Sequence, residues 1–330
     1  MQILMKDELD IAKKELDKGN LVIFPTETVY GLGANALDYD AVDKIFEAKN
    51  RASNNPLIVH LKDKKEIEKY ANIISDIEKK LIDSFMPGPF TLILEKKNII
   101  PDNVTCGMNT VGIRVPIDDV AHHLLSMLDY PIAAPSANLS TRPSGTRVID
   151  IIKEFEDKVN YIIDGGESRI GLESTVCKVV DGIPLILRPG FITKEDIESV
   201  VGKCNVSEYV MQKASGKVES PGMLYKHYSP KTKCILFDKQ VINKVLDKGL
   251  KTIIIGSSEL NKIDCYKYFN YGDDLITISH NLFKILREAD KYDGDIILIE
   301  SVPAKGLGLA IMNRLIRTCE YNYERYNENN

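Results

Sequence analysis

Leu21-Val22-Ile23-Phe24-Pro25-Thr26-Glu27-Thr28-Val29-Tyr30-Gly31-Leu32-Gly33 holds a strand, its stop and a polar loop in one short stretch. Leu21 to Phe24 are apolar without alternation, the pattern of a short buried strand, and Pro25 ends it because proline cannot donate to a ladder. Hydroxyls and then glycines follow, a composition that lets backbone approach a ligand at a strand end. The same residues also suit a plain strand-to-turn connection in which the threonines cap the local backbone.

Outward from this stretch, apolar spacing over Leu4 to Leu16 predicts a helix ending near Gly19. Further helices are expected near Ala41 to Lys49, Ile67 to Phe85 with a break, Val120 to Leu128 and Val148 to Phe155. Strands are expected at Thr91 to Leu94, Val111 to Val115, Pro131 to Ala134, Tyr161 to Ile163, Thr175 to Val180 and Leu185 to Leu187. Strands outnumber the helices between them, so the fold class is α/β, with one twisted mixed sheet and helices packed against it. This first domain spans residues 1–202.

From Lys203 to Lys231 the chain turns polar and irregular, which reads as a linker over 203–231. Residues 232–330 then alternate helical stretches with apolar runs at Cys234 to Phe237, Thr252 to Ile255, Leu275 to Ile278 and Asp295 to Ile299. That rhythm predicts a smaller, Rossmann-like parallel α/β domain. Its last helix, Leu307 to Tyr321, follows Gly306-Leu307-Gly308, which suits either an anion at the helix start or tight helix packing.

The 330 residues are enough for about two cores, and 44% hydrophobic with 28% charged is an ordinary globular balance. A net charge of −5, from 43 basic and 48 acidic residues, argues against a surface that grips nucleic acid throughout. Six dispersed cysteines without a C-x-x-C pair imply reduced, buried thiols. Acids in Met1 to Asp10 and the lack of a bilayer-length apolar run predict a cytoplasmic protein without a membrane role.

Lys49-Asn50-Arg51 closes a helix and is followed by Asn55-Pro56-Leu57. The cations either complement the helix dipole or grip a polyphosphate. Ala134-Pro135-Ser136-Ala137-Asn138 follows an apolar strand, and alternation puts Ser136 and Asn138 on one side. Arg114 and Arg188 end apolar strands, where each needs an acid, an anion or solvent. His122 and His123 point different ways on a helix and read as surface residues. With no G-x-x-x-x-G-K-[ST], G-x-S-x-G or H-E-x-x-H motif, any ATP would lie in a cradle of strand-end arginines, hydroxyls and amides.

Together these segments resemble the YrdC-like threonylcarbamoyl-AMP synthase family in its long form with a C-terminal Rossmann-like domain. The resemblance rests on PTETVYGLG from Pro25, KNR with NPLIVH from Lys49 to His60, MPGPFT from Met86, VGIRVP from Val111 and APSANLS from Ala134. It continues through IDGG and GLESTV between Ile163 and Val176, LRPG from Leu187, SPGMLYKHYSP from Ser220 and GLGLAIMNRLIRTC near the end.

What it implies is an L-threonylcarbamoyladenylate synthase, a nucleotidyltransferase that converts L-threonine, bicarbonate and ATP to threonylcarbamoyl-AMP, pyrophosphate and water. A tRNA threonylcarbamoyl transferase would use the product, so direct tRNA binding is not required. By motif, L-threonine contacts fall to Thr28, His60, Arg114, Ser136 and Ser174. ATP contacts fall to Arg51, Asn55, Thr110, Asn138, Thr146, Arg188 and Tyr225, and the catalytic charges to Lys49 and Arg51, with Lys49 near the phosphates. Mg²⁺ would arrive with ATP.

The chain departs from the family's habit at Ala52, at Thr141, where glycine is usual, and at Leu224. Ser220 to Tyr228 read as a lid over the ATP site, or as a tether docked by its tyrosines. Against the enzyme stand an RNA-binding module without catalysis, supported by the local arginines and lysines, and a nucleotide sensor built on Gly306-Leu307-Gly308.

Overall fold

The computed structural model describes residues 1–212, 228–246 and 249–326. The chain divides into two compact units, Met1–Ser140 with Ser144–Leu224, and Thr141–Pro143 with Tyr225–Asn330.

The first unit begins β1 (Gln2–Leu4), α1 (Leu9–Asp17), β2 (Val22–Phe24), β3 (Gly31–Asn35), α2 (Tyr39–Lys49), β4 (Ile58–His60), α3 (Ile67–Tyr70) and β5 (Ala71–Asn72). It continues α4 (Asp76–Phe85), β6 (Phe90–Lys96), α5 (Asp102–Thr105), β7 (Thr110–Arg114), α6 (Asp119–Ser126) and β8 (Ile132–Ala133). It ends with α7 (Val148–Phe155), β9 (Tyr161–Ile163), β10 (Thr175–Val180), β11 (Ile183–Arg188), α8 (Lys194–Val201) and β12 (Asn205–Val206). The strands make one mixed sheet in the order β1-β9-β2-β3-β8-β4-β7-β6-β10-β11-β12, with β5 beside β6.

Strand β2 is buried on both faces, as its unbroken apolar run implies. Val22 and Phe24 join a core with Leu16 of α1 and Leu124 of α6, while Ile23 joins a second core with Ile45 of α2, Leu81 of α4 and Ile151 of α7. Caps set the helix limits. Asp38 accepts from the Ala41 amide to start α2, which ends at Asn50 with φ +49°. A Ser75–Glu78 capping box starts α4 and produces the expected break after α3.

Three expectations need correction. The stretch from Leu4 is not all helix: Gln2–Leu4 pairs in parallel with Tyr161–Ile163, and the helix starts at Leu9. Strands β3 and β4 were not expected, because Gly31-Leu32-Gly33-Ala34-Asn35 reads as a turn and Ile58–His60 is only three residues long. Leu275 to Ile278 is no strand; it opens a helix whose Asp274 cap accepts from the Ile276 and Thr277 amides.

The second unit comprises β13 (Cys234–Phe237), α9 (Ile242–Val245), β14 (Thr252–Gly256), β15 (Lys267–Asn270), α10 (Leu275–Ala289), β16 (Ile296–Glu300), α11 (Leu307–Thr318) and β17 (Tyr323–Glu324). Its pairings are all parallel, in the order β15-β14-β16-β13-β17. The strand that replaces the mistaken one, β15, is an edge strand without a fully buried side chain, so it leaves no apolar signature. At Gly308 a Cβ would lie 2.0 Å from the Pro303 carbonyl oxygen, so this glycine serves close packing. Thr141 adopts φ +76°, the left-handed region that explains the family's usual glycine. All six cysteines are free thiols; Cys177, Cys204, Cys234 and Cys319 are buried as expected, whereas Cys106 and Cys265 are only partly so.

Candidate active site

Sheet register builds the site. The β4–β7 pairing sets His60 beside Arg114, and the β7–β6 pairing sets Arg114 beside Thr91. Just before β10, the Ser174 hydroxyl lies 2.8 Å from that of Thr91. His60, Arg114, Thr91 and Ser174 thus form a polar line across the sheet, beside a small apolar patch of Ile58, Ile93, Val176 and Leu187.

The arginine that ends β7 finds its acid in the loop after β2: Arg114 Nη2 donates to Glu27 Oε1 at 2.7 Å, and both side chains are buried. The loop is rigidly turned. Thr26 Oγ1 donates to the Val29 carbonyl at 2.6 Å and accepts from the Thr28 and Val29 amides, so one threonine caps the backbone while Thr28 is fully buried beside it. Tyr30 donates its hydroxyl to the Gly166 carbonyl and accepts from the Gly165 amide, tying in the Ile163–Gly166 loop. Burial raises the Tyr30 phenol above its ordinary range. The glycines that follow do not make room for a ligand: a Cβ on Gly33 would meet Ile132 at 2.8 Å and the Phe24 ring at 2.9 Å, so this glycine admits core side chains.

Burial first, and the Arg114 charge second, hold the His60 imidazole down at about 3 against an ordinary 6.5. Nδ1 lies 3.1 Å from the Ile58 carbonyl, a bond the neutral ring makes when Nδ1 carries its proton. The folded ring refuses a proton that the unfolded ring binds below 6.5, so stability is whole above that pH and is lost as the pH falls toward 3. His60→Gln is therefore expected to flatten the acid limb of a stability profile measured by urea unfolding. An unchanged slope would mean that the ring is solvated.

Ser136 and Asn138 do meet, Ser136 Oγ donating to Asn138 Oδ1 at 2.6 Å, but through a turn closed by the Asn138 amide on the Ser136 carbonyl at 3.1 Å rather than through extended alternation. Lys49, 1% exposed, donates Nζ to the carbonyls of both Ser136 and Asn138. Its ammonium therefore braces this loop, a part that neither the dipole nor the phosphate reading of Lys49 contains. Arg51 acts alike on the next loop: Nε and Nη2 reach the Asn55 carbonyl at 3.2 and 3.1 Å, and Nη2 the Pro56 carbonyl at 3.1 Å. At the other end Arg188 forks onto the Ser174 carbonyl at 3.2 and 3.0 Å and reaches the Ser174 hydroxyl at 3.2 Å.

Thr146 is fully buried, and its hydroxyl has no partner among the described residues; Asn55 Oδ1 and Ser168 Oγ are buried atoms equally without one. Thr110 begins β7 on the face that carries Arg114 but roughly 13 Å along the strand. Tyr225 and the rest of Ser220 to His227 lie outside the described residues. Tyr228 docks on its own unit, stacked on Phe283 at 5.1 Å with its carbonyl accepting from Thr318 Oγ1 at 3.2 Å. Sequence reasoning gave no role to Glu27, Thr91 or Ser168; the signal for Glu27 was its place between two ligand-type threonines.

Among the described residues, no group of three or more His, Cys, Asp and Glu side chains could hold a metal ion. No helix among them is long and apolar enough to cross a membrane.

Strand-end arginines, hydroxyls and amides are thus gathered on one sheet, in a chain whose sequence holds no G-x-x-x-x-G-K-[ST] phosphate loop. Residues 14–190 match the family described as Telomere recombination, which groups Sua5, YciO and YrdC, and residues 192–319 match Threonylcarbamoyl-AMP synthase, C-terminal domain. The chain belongs to the threonylcarbamoyl-AMP synthase family. A threonylcarbamoyl-AMP synthase of Pyrococcus abyssi is 42% identical over 324 residues, covering 95% of this chain and 94% of that protein. One of Bacillus subtilis is 40% identical over 312 residues, covering 92% and 90%. The crystal structure of P. abyssi Sua5 complexed with L-threonine is 40% identical, with a TM-score of 0.94 over 99% of this chain and 100% of that one.

Proposed function

We infer that the first unit condenses L-threonine, bicarbonate and ATP into threonylcarbamoyl-AMP, releasing pyrophosphate and water. The observation that carries this reading is the buried line of His60, Arg114, Thr91 and Ser174, in a chain alike over 99% of its length to a relative crystallised with L-threonine.

Arg114 suits the amino acid's carboxylate, and the neutral His60 ring offers a hydrogen bond without a competing charge. Thr28, Ser136 and Ser174 supply hydroxyls to orient the substrate. The amine takes up the carbon of bicarbonate with loss of water, and the resulting carbamate oxygen attacks the α-phosphorus as pyrophosphate leaves. Two anions meet in that step. Arg51 and Arg188 offset their charge, and Lys49 fixes the loop that presents Ser136 and Asn138. Asn55, Asn138, Thr110 and Thr146 take the nucleotide. Mg²⁺ would enter as part of MgATP, whose phosphates and waters would supply its hard oxygen ligands. The mixed anhydride then passes to a tRNA threonylcarbamoyl transferase in the cytoplasm.

The test is pyrophosphate release by purified full-length protein with L-threonine, bicarbonate, Mg²⁺ and tRNA each omitted in turn. Release is expected to require the first three and to ignore tRNA. L-Serine should be used about ten- to a hundredfold less well, the worth of a niche for one methyl group. Release that persists without threonine, or that starts only with tRNA, would overturn the reading; the second result would favour the RNA-binding alternative.

A further inference from the structure

We propose that Glu27 is itself a substrate-binding residue, its carboxylate taking the ammonium of L-threonine while Arg114 takes the carboxylate, so that the buried pair is a receptor for a zwitterion. The proposal rests on the reading of Arg114 given above and extends it to a residue to which the family resemblance assigned nothing.

The observation is an incomplete ion pair. Glu27 is 1% exposed and Arg114 4%, depths at which charged groups normally satisfy every polar atom they carry. One bond joins them, from Arg114 Nη2 to Glu27 Oε1. The other carboxylate oxygen, Glu27 Oε2, and the Arg114 Nε donor are both buried and both without a partner among the described residues. An arginine and a carboxylate that served only each other would close the fork with two parallel bonds. Here each carries a buried group that the other does not answer, an acceptor on the negative side and a donor on the positive side.

A ligand with a cationic donor and an anionic acceptor on neighbouring atoms, the constitution of an α-amino acid, answers both with charge-assisted bonds. The surroundings agree with that charge pattern. His60 beside Arg114 is neutral and adds no second cation, while Thr28, Thr91 and Ser174 contribute hydroxyls only. The same mark, a buried polar atom without a partner, falls on Asn55 and Thr146, to which the resemblance assigned a ligand. Among the residues so marked in this region, Glu27 is the one that carries negative charge. Its backbone is fixed by the Thr26 turn and by the Ile170 amide, which donates to the Glu27 carbonyl at 2.8 Å. The orphan atoms are closed off in the present state, so ligand entry must re-aim the two side chains. An incomplete pair resists that less than a closed fork would.

Calorimetric titration of the full chain separates the possibilities. The probes are L-threonine, (2S,3R)-2,3-dihydroxybutanoate, which lacks the amine, and 1-amino-2-propanol, which lacks the carboxylate. Wild type is expected to prefer L-threonine to the dihydroxy acid by roughly ten- to a hundredfold. Glu27→Gln should weaken L-threonine by a similar factor and leave the dihydroxy acid nearly unchanged. Equal weakening of both ligands would assign Glu27 a structural part acting through Arg114 and overturn the proposal. Should Glu27→Gln fail to fold, the wild-type titrations decide alone, because equal affinity for L-threonine and the dihydroxy acid removes any partner for the amine. If wild type binds 1-amino-2-propanol as tightly as L-threonine, the fault lies in the Arg114 reading, and the zwitterion site falls with it.

Discussion

Replacing Arg114 with methionine is expected to destabilise the protein by about 3 to 5 kcal/mol and to abolish threonine-dependent pyrophosphate release. The size of the stability loss follows from what is left behind rather than from what is removed. Glu27 is 1% exposed in side chain and gains its one charged contact from Arg114, so the substitution strands a carboxylate away from water. Methionine fills most of the arginine stem's volume, which limits the cavity and isolates the electrostatic effect.

A second substitution tests that account. Glu27→Leu added to Arg114→Met removes the stranded charge, and urea unfolding should then return most of the lost stability, as replacement of buried ion pairs by apolar groups commonly does. Activity should not return, because the double variant lacks the cation proposed to take the substrate carboxylate. Loss of stability in the double variant equal to that in Arg114→Met would mean that packing, not the buried charge, is responsible. An Arg114→Met protein of wild-type stability would mean that the pair is reached by solvent.

How far such a site can be read from sequence depends on the range of the forces that make it. Strand β2 was legible because Leu21 to Phe24 are apolar in succession and Pro25 stops them, all within hydrogen-bonding reach of their neighbours in sequence. The break before α4 was legible for a similar reason, and its cause is the local Ser75–Glu78 box. By contrast β4, which carries His60, is three residues long and is defined by its pairing with β7 and β8, whose residues lie far along the chain. The Glu27–Arg114 bond spans 87 residues, and no periodicity announces it. Arg114 could be seen to need a partner; which acid answers is a property of the folded sheet. Lys49 shows the same limit in another form. Its position at a helix end suggested dipole or phosphate, yet the partners it meets are main-chain carbonyls of Ser136 and Asn138, groups that carry no side-chain identity in the sequence. In the second unit the mistaken strand at Leu275 arose because four apolar or β-branched residues in a row fit either period, and the Asp274 cap that decides for helix was passed over.

Gly190→Ala is expected to lower turnover with L-threonine roughly a hundredfold, the scale of a displacement of about 1 Å at a reacting centre. Gly190 follows Arg188 and Pro189, and it lies against the segment that carries Ser174. A Cβ there would stand 2.4 Å from the Thr175 nitrogen, 2.7 Å from the Glu173 oxygen and 2.7 Å from the Ser174 carbonyl carbon. All three are main-chain atoms, so no side-chain rotation relieves the contact and one of the two segments must move. The Glu173–Thr175 segment is poorly free to do so: the Thr175 amide donates to the Pro89 carbonyl at 3.0 Å, the Ser144 hydroxyl donates to Glu173 at 2.6 Å, and Arg188 forks onto the Ser174 carbonyl. Forced movement parts the Ser174 and Thr91 hydroxyls and swings Arg188, so the proposed threonine and nucleotide contacts fail together. Overpacking of this sort also costs about 1 to 3 kcal/mol of stability. Gly202→Ala is the matched control. Gly202 sits at φ +82° with nothing within 4 Å of a Cβ, so alanine there strains the backbone while touching no part of the site. The control should lose stability and keep wild-type kinetics, whereas Gly190→Ala should raise the KM for both L-threonine and ATP and lower kcat. Wild-type kinetics in Gly190→Ala, or an equal kinetic loss in Gly202→Ala, would show that the seam between Gly190 and Ser174 does not hold the site in register.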